Sequence, residues 1–172
     1  TIDTAYVFLK SNFIQANLGR DTSVCGNLAL TAPSGYNYLW SNGSTTNSVS
    51  IDSSQLVILE LRDTTGCVFK DSIYVLVNPL PVSRFAYAIQ NDSVFFTNLS
   101  TSANTYLWTF GDNDSSRLFA PYHHYANGGQ FIIVLKAKSD SCGESVYIDT
   151  LNYINTGVLS DLINGTQILI YP

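Results

Sequence analysis

The chain has 172 residues, enough for one large domain or two small ones. Hydrophobic residues make up 45% and aromatics 13%, against 12% charged, which excludes a disordered polar chain. The formal charge of −5 argues against a nucleic-acid backbone as partner, and no stretch approaches the roughly 20 apolar residues of a membrane span.

One short pattern recurs along the chain. Asp3-Thr4-Ala5-Tyr6-Val7, Asp71-Ser72-Ile73-Tyr74-Val75 and Glu144-Ser145-Val146-Tyr147-Ile148 share an acid, a hydroxyl, an apolar residue, Tyr and a branched apolar residue. Copies about 70 residues apart, with short strands and turn signals between them, suggest tandem β-sandwich modules. Each copy is read as the last strand of its module. Residues 1–17 are then an orphan final strand and a linker. No signal peptide opens the chain, and Thr1 starts in mid-pattern, so the sequence is expected to be a piece of a longer product.

The first full module covers residues 18–78. Leu28, Leu30 and Ala32 alternate, Pro33-Ser34-Gly35 turns the chain, and Tyr38 and Trp40 alternate. Ser41-Asn42-Gly43-Ser44 is a second turn. Val49 and Ile51, then Val57, Leu59 and Leu61, then Ile73, Val75 and Val77 complete it. Asn78-Pro79-Leu80-Pro81 is a stiff linker. The second module runs over residues 79–152. Phe85, Tyr87 and Ile89 open it, and Val94 and Phe96 follow the Asn91-Asp92 turn. Tyr106, Trp108 and Phe110 then alternate. Gly111-Asp112-Asn113-Asp114 breaks that strand. Phe131, Ile133, Leu135 and Ala137 form the strand after Pro121 and Gly128-Gly129. Residues 153–172 belong to neither module.

Three resemblances add to this reading. Trp108, Phe110, Gly111, Asp112, Pro121, His123, Tyr125, Gly129 and Phe131 resemble the signature of the PKD domain, a small immunoglobulin-like sandwich. The chain departs from it at Thr109, where an acid is usual, and at Asn113, where glycine is usual. The first module resembles immunoglobulin-like modules found in tandem in secreted proteins of Bacteroidota. Ile168-Leu169-Ile170-Tyr171-Pro172 resembles the start of a type IX secretion sorting domain. Together they imply an all-β fold: two tandem Ig-like sandwiches, the second PKD-like, with an orphan N-terminal strand and a C-terminal extension. The implied location is extracellular or at the cell surface.

The secretion resemblance implies an oxidising compartment, and Cys25 and Cys67 flank the first module, so a Cys25–Cys67 disulfide is expected, with Cys142 unpaired within its own chain. Asp112 and Asp114 alternate oxygens as calcium loops do, but no EF-hand glycine or glutamate follows. A hairpin turn whose acid caps backbone amides is the preferred reading. His123 and His124 are adjacent and face opposite ways on a strand. A zinc site would need further ligands, with Cys142 the one candidate, so no metal or cofactor is expected. His123 is expected to hydrogen-bond within its module. No nucleophile elbow, paired carboxylate set or phosphate loop supports catalysis. Five triplets resemble the Bacteroidota O-glycosylation acceptor pattern and make Thr4, Thr64, Ser72, Ser93 and Thr150 candidates. They equally suit turn-to-strand entries.

Parity assigns the outer faces, the alternative being that a bulge shifts some strands by one residue and the patch is illusory. With Val57, Leu59 and Leu61 inward, Leu56 and Ile58 point outward, and Tyr74 and Leu76 follow. The second module repeats this with Ile132, Val134 and Tyr147, the orphan strand with Tyr6 and Phe8. Such faces are expected to be covered by neighbouring modules or by further copies of the chain. The function expected is non-catalytic: spacer or adhesion modules of a large bacterial surface protein. The alternatives are a filament subunit sharing strands or faces, and a carbohydrate-binding accessory of a secreted hydrolase, with surface glycans as partners.

Overall fold

A computed structural model describes residues 16–90 and 92–154. The orphan-strand positions Thr4, Tyr6 and Phe8, and the sorting-domain residues 168–172, lie outside the described residues. Among the described residues every regular element is a β-strand, so the architecture is all-β. The chain divides into two compact units, Thr1–Asn78 and Pro79–Pro172.

In the first unit, β1 (Thr22–Cys25), β6 (Val68–Asn78), β5 (Gln55–Arg62) and β3 (Asn37–Trp40) form one sheet in that order. β2 (Leu28–Thr31) and β4 (Ser48–Ile51) form the other. Burial on one face produces the alternation seen in sequence: Val57, Leu59, Leu61, Ile73 and Val75 are buried together with Val49, Ile51 and Trp40. Trp40 keeps its polar handle satisfied, its Nε1–H donating to the Thr46 carbonyl at 2.8 Å. Ala16, expected in the linker, is buried in this core, and the Leu18 N–H donates to Asp71 Oδ2 at 2.6 Å. The module therefore begins earlier than residue 18.

The Cys25–Cys67 disulfide does not form. Cys67 is a free, exposed thiol, whereas Cys25 and Cys142 are the disulfide-bonded cysteines. Strand geometry explains the error. Cys25 lies opposite Asn78, the last residue of β6, and Cys67 immediately precedes Val68, the first. The 11 residues of β6 separate the two ends by about 33 Å, while a disulfide needs Cα atoms within about 7 Å.

In the second unit, β10 (Ser115–Ser116), β9 (Thr105–Thr109), β12 (Gly129–Ser139) and β13 (Gly143–Tyr153) form one sheet. β11 (Tyr122–His123), β8 (Ser93–Asn98) and β7 (Phe85–Gln90) form the other. Trp108 is fully buried between the two, with the Phe85 and Phe96 rings each 5.3 Å away. β7 departs from its expected alternation: Phe85 is buried, but Tyr87 and Ile89 are exposed. Among the described strands β7 lies at the edge of its sheet, paired with β8 alone.

Candidate functional site

The densest meeting of polar and aromatic side chains is at the turn after β9. Gly111 has φ +84, and a Cβ there would lie 2.8 Å from the Ile132 nitrogen and 2.9 Å from its oxygen. Only glycine lets the turn lie this close to β12. Asn113 has φ 74. Asparagine is the side chain that best tolerates this left-handed region, which accounts for its standing in for glycine. The Phe110 N–H donates to the Asp114 carbonyl at 3.1 Å and closes the turn.

Asp112 is fully engaged in this turn. Its Oδ1 accepts the Asp114 N–H at 3.1 Å, and its Oδ2 lies 2.7 Å from His123 Nε2. A carboxylate can only accept, so His123 donates from Nε2. Burial is the largest influence on Asp112 and pushes its pKa up, but the hydrogen bonds from His123 and the Asp114 N–H outweigh it and hold the carboxyl below its usual value. The His123 ring stacks on Phe110 at 4.2 Å and meets the edge of Tyr125 at 4.6 Å. Tyr125 donates its hydroxyl to the Phe110 carbonyl at 2.8 Å and stacks on Phe131 at 3.9 Å. Burial, with the Asp112 charge nearby, keeps this phenol protonated far above its ordinary pKa. Trp108 Nε1–H donates to the Leu118 carbonyl at 3.0 Å. The arrangement ties the β9 turn to β11 and β12, and both Asp112 oxygens are spent on it.

The weak calcium candidate is therefore a turn in which Asp112 is committed to protein donors. Asp114 faces His123 Nδ1 at 3.7 Å and accepts the Ser115 N–H. His124 is exposed, its Nδ1 2.6 Å from the Asp92 carbonyl. Among the described residues no three His, Cys, Asp or Glu are grouped as metal ligands. Cys142, being disulfide-bonded, offers no thiolate.

Of the acids of the acceptor triplets, Asp3 lies outside the described residues, and Asp63, Asp71 and Asp149 accept backbone N–H groups. Asp63 Oδ1 accepts the N–H groups of Thr65 and Cys67, both at 2.9 Å, and the Thr65 hydroxyl. Its carboxyl is held below the usual range, first by that hydroxyl. Asp92 takes φ 59 at the β7–β8 turn, and Asp149 accepts the Thr150 N–H. Thr64, Ser72 and Thr150 are exposed, and Ser93 is half-buried.

Of the interface candidates, Leu56, Ile58, Tyr74, Leu76 and Ile132 are exposed between 41% and 58%. Val134 is half-buried. Tyr147 is a correction: it points inward, its ring 5.2 Å from Phe85. It sits opposite Leu135, which is fully buried, and directly opposed residues share a face. Val146 and Ile148 take the outer face instead. Two features went unnoticed in the sequence. Leu39, between inward Tyr38 and Trp40, joins the outer patch of the first unit, and Ile58, Glu60 and Lys70 line a shallow recess with it. Lys70 pairs with Glu60 at 2.9 Å, and its hydrogen bond is the main cause of the lowered Glu60 pKa. On the second unit, Phe95 and Tyr122 stand exposed with rings 6.0 Å apart.

No family model matches the chain. It is 31% identical over 84 residues to the pre-pro-metalloprotease PrtV of Vibrio cholerae, a match covering 44% of this chain and 9% of that protein. The crystal structure of the PKD1 domain from PrtV matches 44% of this chain and 99% of that domain, at 28% identity and a TM-score of 0.41. The PKD1 domain of Vibrio anguillarum Epp matches 45% and 96%, at 26% identity and 0.42. Less than half of the chain carries this similarity to PKD domains. Trp108, Asp112, His123 and Tyr125, which carry the PKD resemblance in the sequence, are the residues that hold the turn after β9 in this chain. The chain spans about a tenth of the length of the curated relatives it matches.

Proposed function

We propose that this chain is a non-catalytic, extracellular stretch of β-sandwich modules, serving as spacer or adhesion region of a large bacterial surface protein. One observation carries the reading: Asp112, His123 and Tyr125, the most chemically capable cluster, are consumed by one another and by the turn. PKD homology supports it. The resemblances to Bacteroidota modules and to a type IX sorting segment support export to the surface. Exposed Thr64, Ser72 and Thr150 would be the accessible O-glycan acceptors of the exported form. The test is protease shaving of intact cells of the native host. Peptides of this chain should be released from the surface, and recovery only from the cytoplasm would overturn the proposal. Replacing residues 18–152 with an unrelated sandwich pair then separates the roles: a spacer keeps its function, an adhesin loses it.

A second reading, a subunit that packs against copies of itself, is favoured by the outer face of the first unit. Leu39, Leu56, Ile58, Tyr74 and Leu76 are all exposed on one sheet. Leu56 lies directly opposite Tyr74, so the patch is continuous. Ile58→Lys with Leu76→Lys should lower association in sedimentation while leaving the unit folded. The same size before and after would sink this reading. A role as accessory region of a secreted hydrolase is supported by the metalloprotease relatives.

A further inference from the structure

Among the described residues, sheet edges are short with one exception. β1, β2, β3 and β4 have 4 residues each, β7 has 6, and β10 and β11 have 2. β13 has 11, and among the described strands it pairs only with β12. β6, also 11 residues long and last in its own unit, has the end of its outer side, Val75–Asn78, covered by β1 in parallel register, and the Tyr74 N–H ahead of it capped by Asp21 Oδ1. Nothing among the described strands does this for β13. Natural edge strands are blunted by lysine, proline, bulges or shortness. β13 contains no Lys, Arg or Pro, and it pairs with β12 without interruption from Gly143 to Tyr153. Val146 and Ile148 are exposed on its outer face.

We propose that β13 pairs antiparallel with β13 of a second copy of this chain, joining two four-stranded sheets into one. The strand's own sequence argues for this occupant. The register centred on Ile148 pairs all of Gly143–Tyr153 with itself. It sets Ile148 against its copy, Val146 against Thr150, Glu144 against Asn152 and Tyr147 against Asp149. Branched side chains meet on the outer face, and each carboxylate meets a neutral partner. Centring on Asp149 would oppose two aspartates, pairing Glu144 with Asp149 would oppose like charges, and centring on Tyr147 would leave the last strand residues, Asn152 and Tyr153, unpaired. A two-fold arrangement is also the commonest way for one chain to meet itself. The contact is separate from the apolar face of the first unit and stands or falls independently of it.

The test uses the full chain. Sedimentation over rising concentration should show a dimer, and Ile148→Lys should weaken it at least tenfold by opposing two ammonium groups. An equal mixture of Ile148→Lys and Ile148→Glu should restore association, which a merely destabilised strand would not do. In a Cys67→Ser background, Ile148→Cys should form a covalent dimer on mild oxidation, because directly opposed strand residues lie within disulfide reach. Thr97→Cys, exposed on the other sheet, should not. A monomer at every concentration, a dimer indifferent to Ile148→Lys, or equal cross-linking at Thr97→Cys would each overturn the proposal. Ile58→Lys with Leu76→Lys should leave this dimer intact, so the two modes of association are read apart.

Discussion

The two units reach the same architecture by different chemistry. The first is aliphatic: Trp40 sits among Val, Leu and Ile, and its turns are held by short side-chain bonds such as Asn42 to the Ser44 N–H. The second is aromatic: Trp108 shares its core with Phe85, Phe96 and Phe110, and a hydrogen-bonded Asp112–His123 pair locks one turn. Branched aliphatics fill a narrow space from many strands at once. Rings bury more area per residue but demand defined angles, and they leave polar handles that must find partners. The second unit therefore depends on a few positions that tolerate no change, while the first spreads its stability more evenly.

The hardest blow to that contrast is Trp108→Ala. Emptying so large a buried volume costs about 3–5 kcal/mol, enough to unfold a small sandwich. Trp40 is then the one tryptophan left, and its fluorescence reports the first unit alone. That transition is expected to persist; a single cooperative loss of both units would contradict it. Next comes Gly111→Ala, expected to cost about 3 kcal/mol because a positive φ and a clash with the Ile132 backbone combine. Gly43→Ala, at φ +83 with nothing within 4 Å, should cost only about 1 kcal/mol. Urea midpoints of each unit measure the gap, and equal effects would show that the close approach is unimportant.

Acid offers a milder test. The folded Asp112 carboxyl titrates below its unfolded value of about 4. Its contribution is thus complete above that value and is lost as the pH falls through the lower folded pKa. Asp112→Asn should flatten this acid limb for the second unit and lower its stability at neutral pH. An unchanged acid limb would remove the pair from the account. The smallest effect is chemical. A thiol reagent added to native, unreduced protein should label Cys67 and spare Cys25 and Cys142. Peptide mapping reads this directly, and label on either of the other two would contradict the assignment.

Much of this fold was legible in the sequence because one-sided burial writes itself as alternation. Val57, Leu59 and Leu61, or Ile133, Leu135 and Ala137, could hardly be anything else. The signature from Trp108 to Tyr125 was legible too, down to the internal role of His123. Other things were not, the exposure of Tyr87 and Ile89 and the burial of Ala16 among them. Disulfide pairing depends on where strand ends fall in space, and Cys25 and Cys67 look close in topology yet stand at opposite ends of β6. The facing of Tyr147 was misjudged because its pentapeptide so resembles the one around Tyr74. Yet Ile73 is buried beside an exposed Tyr74, whereas Val146 is exposed beside an inward Tyr147. A slip of one residue reverses a strand, and local similarity does not constrain it. Leu39 and Phe95 are apolar residues on the outward parity of strands whose inward residues are also apolar, so alternation does not mark them.

The seal that β1 places on β6 also bears on the order of folding. It joins distant parts of the chain: Asp21 Oδ1 receives the Tyr74 N–H across 53 residues. The β12–β13 hairpin closes across a turn of a few residues, from Ser139 to Gly143. Contacts of long sequence separation form late, since loop closure must be met first. A chain delivered N-terminus first must therefore hold β1 without its partner until Asn78 has emerged. The second unit can build its longest pairing as soon as one hairpin is complete. Chains truncated after Asp71 should leave β1 unpaired and Trp40 open to solvent quenchers, while the intact first unit protects it.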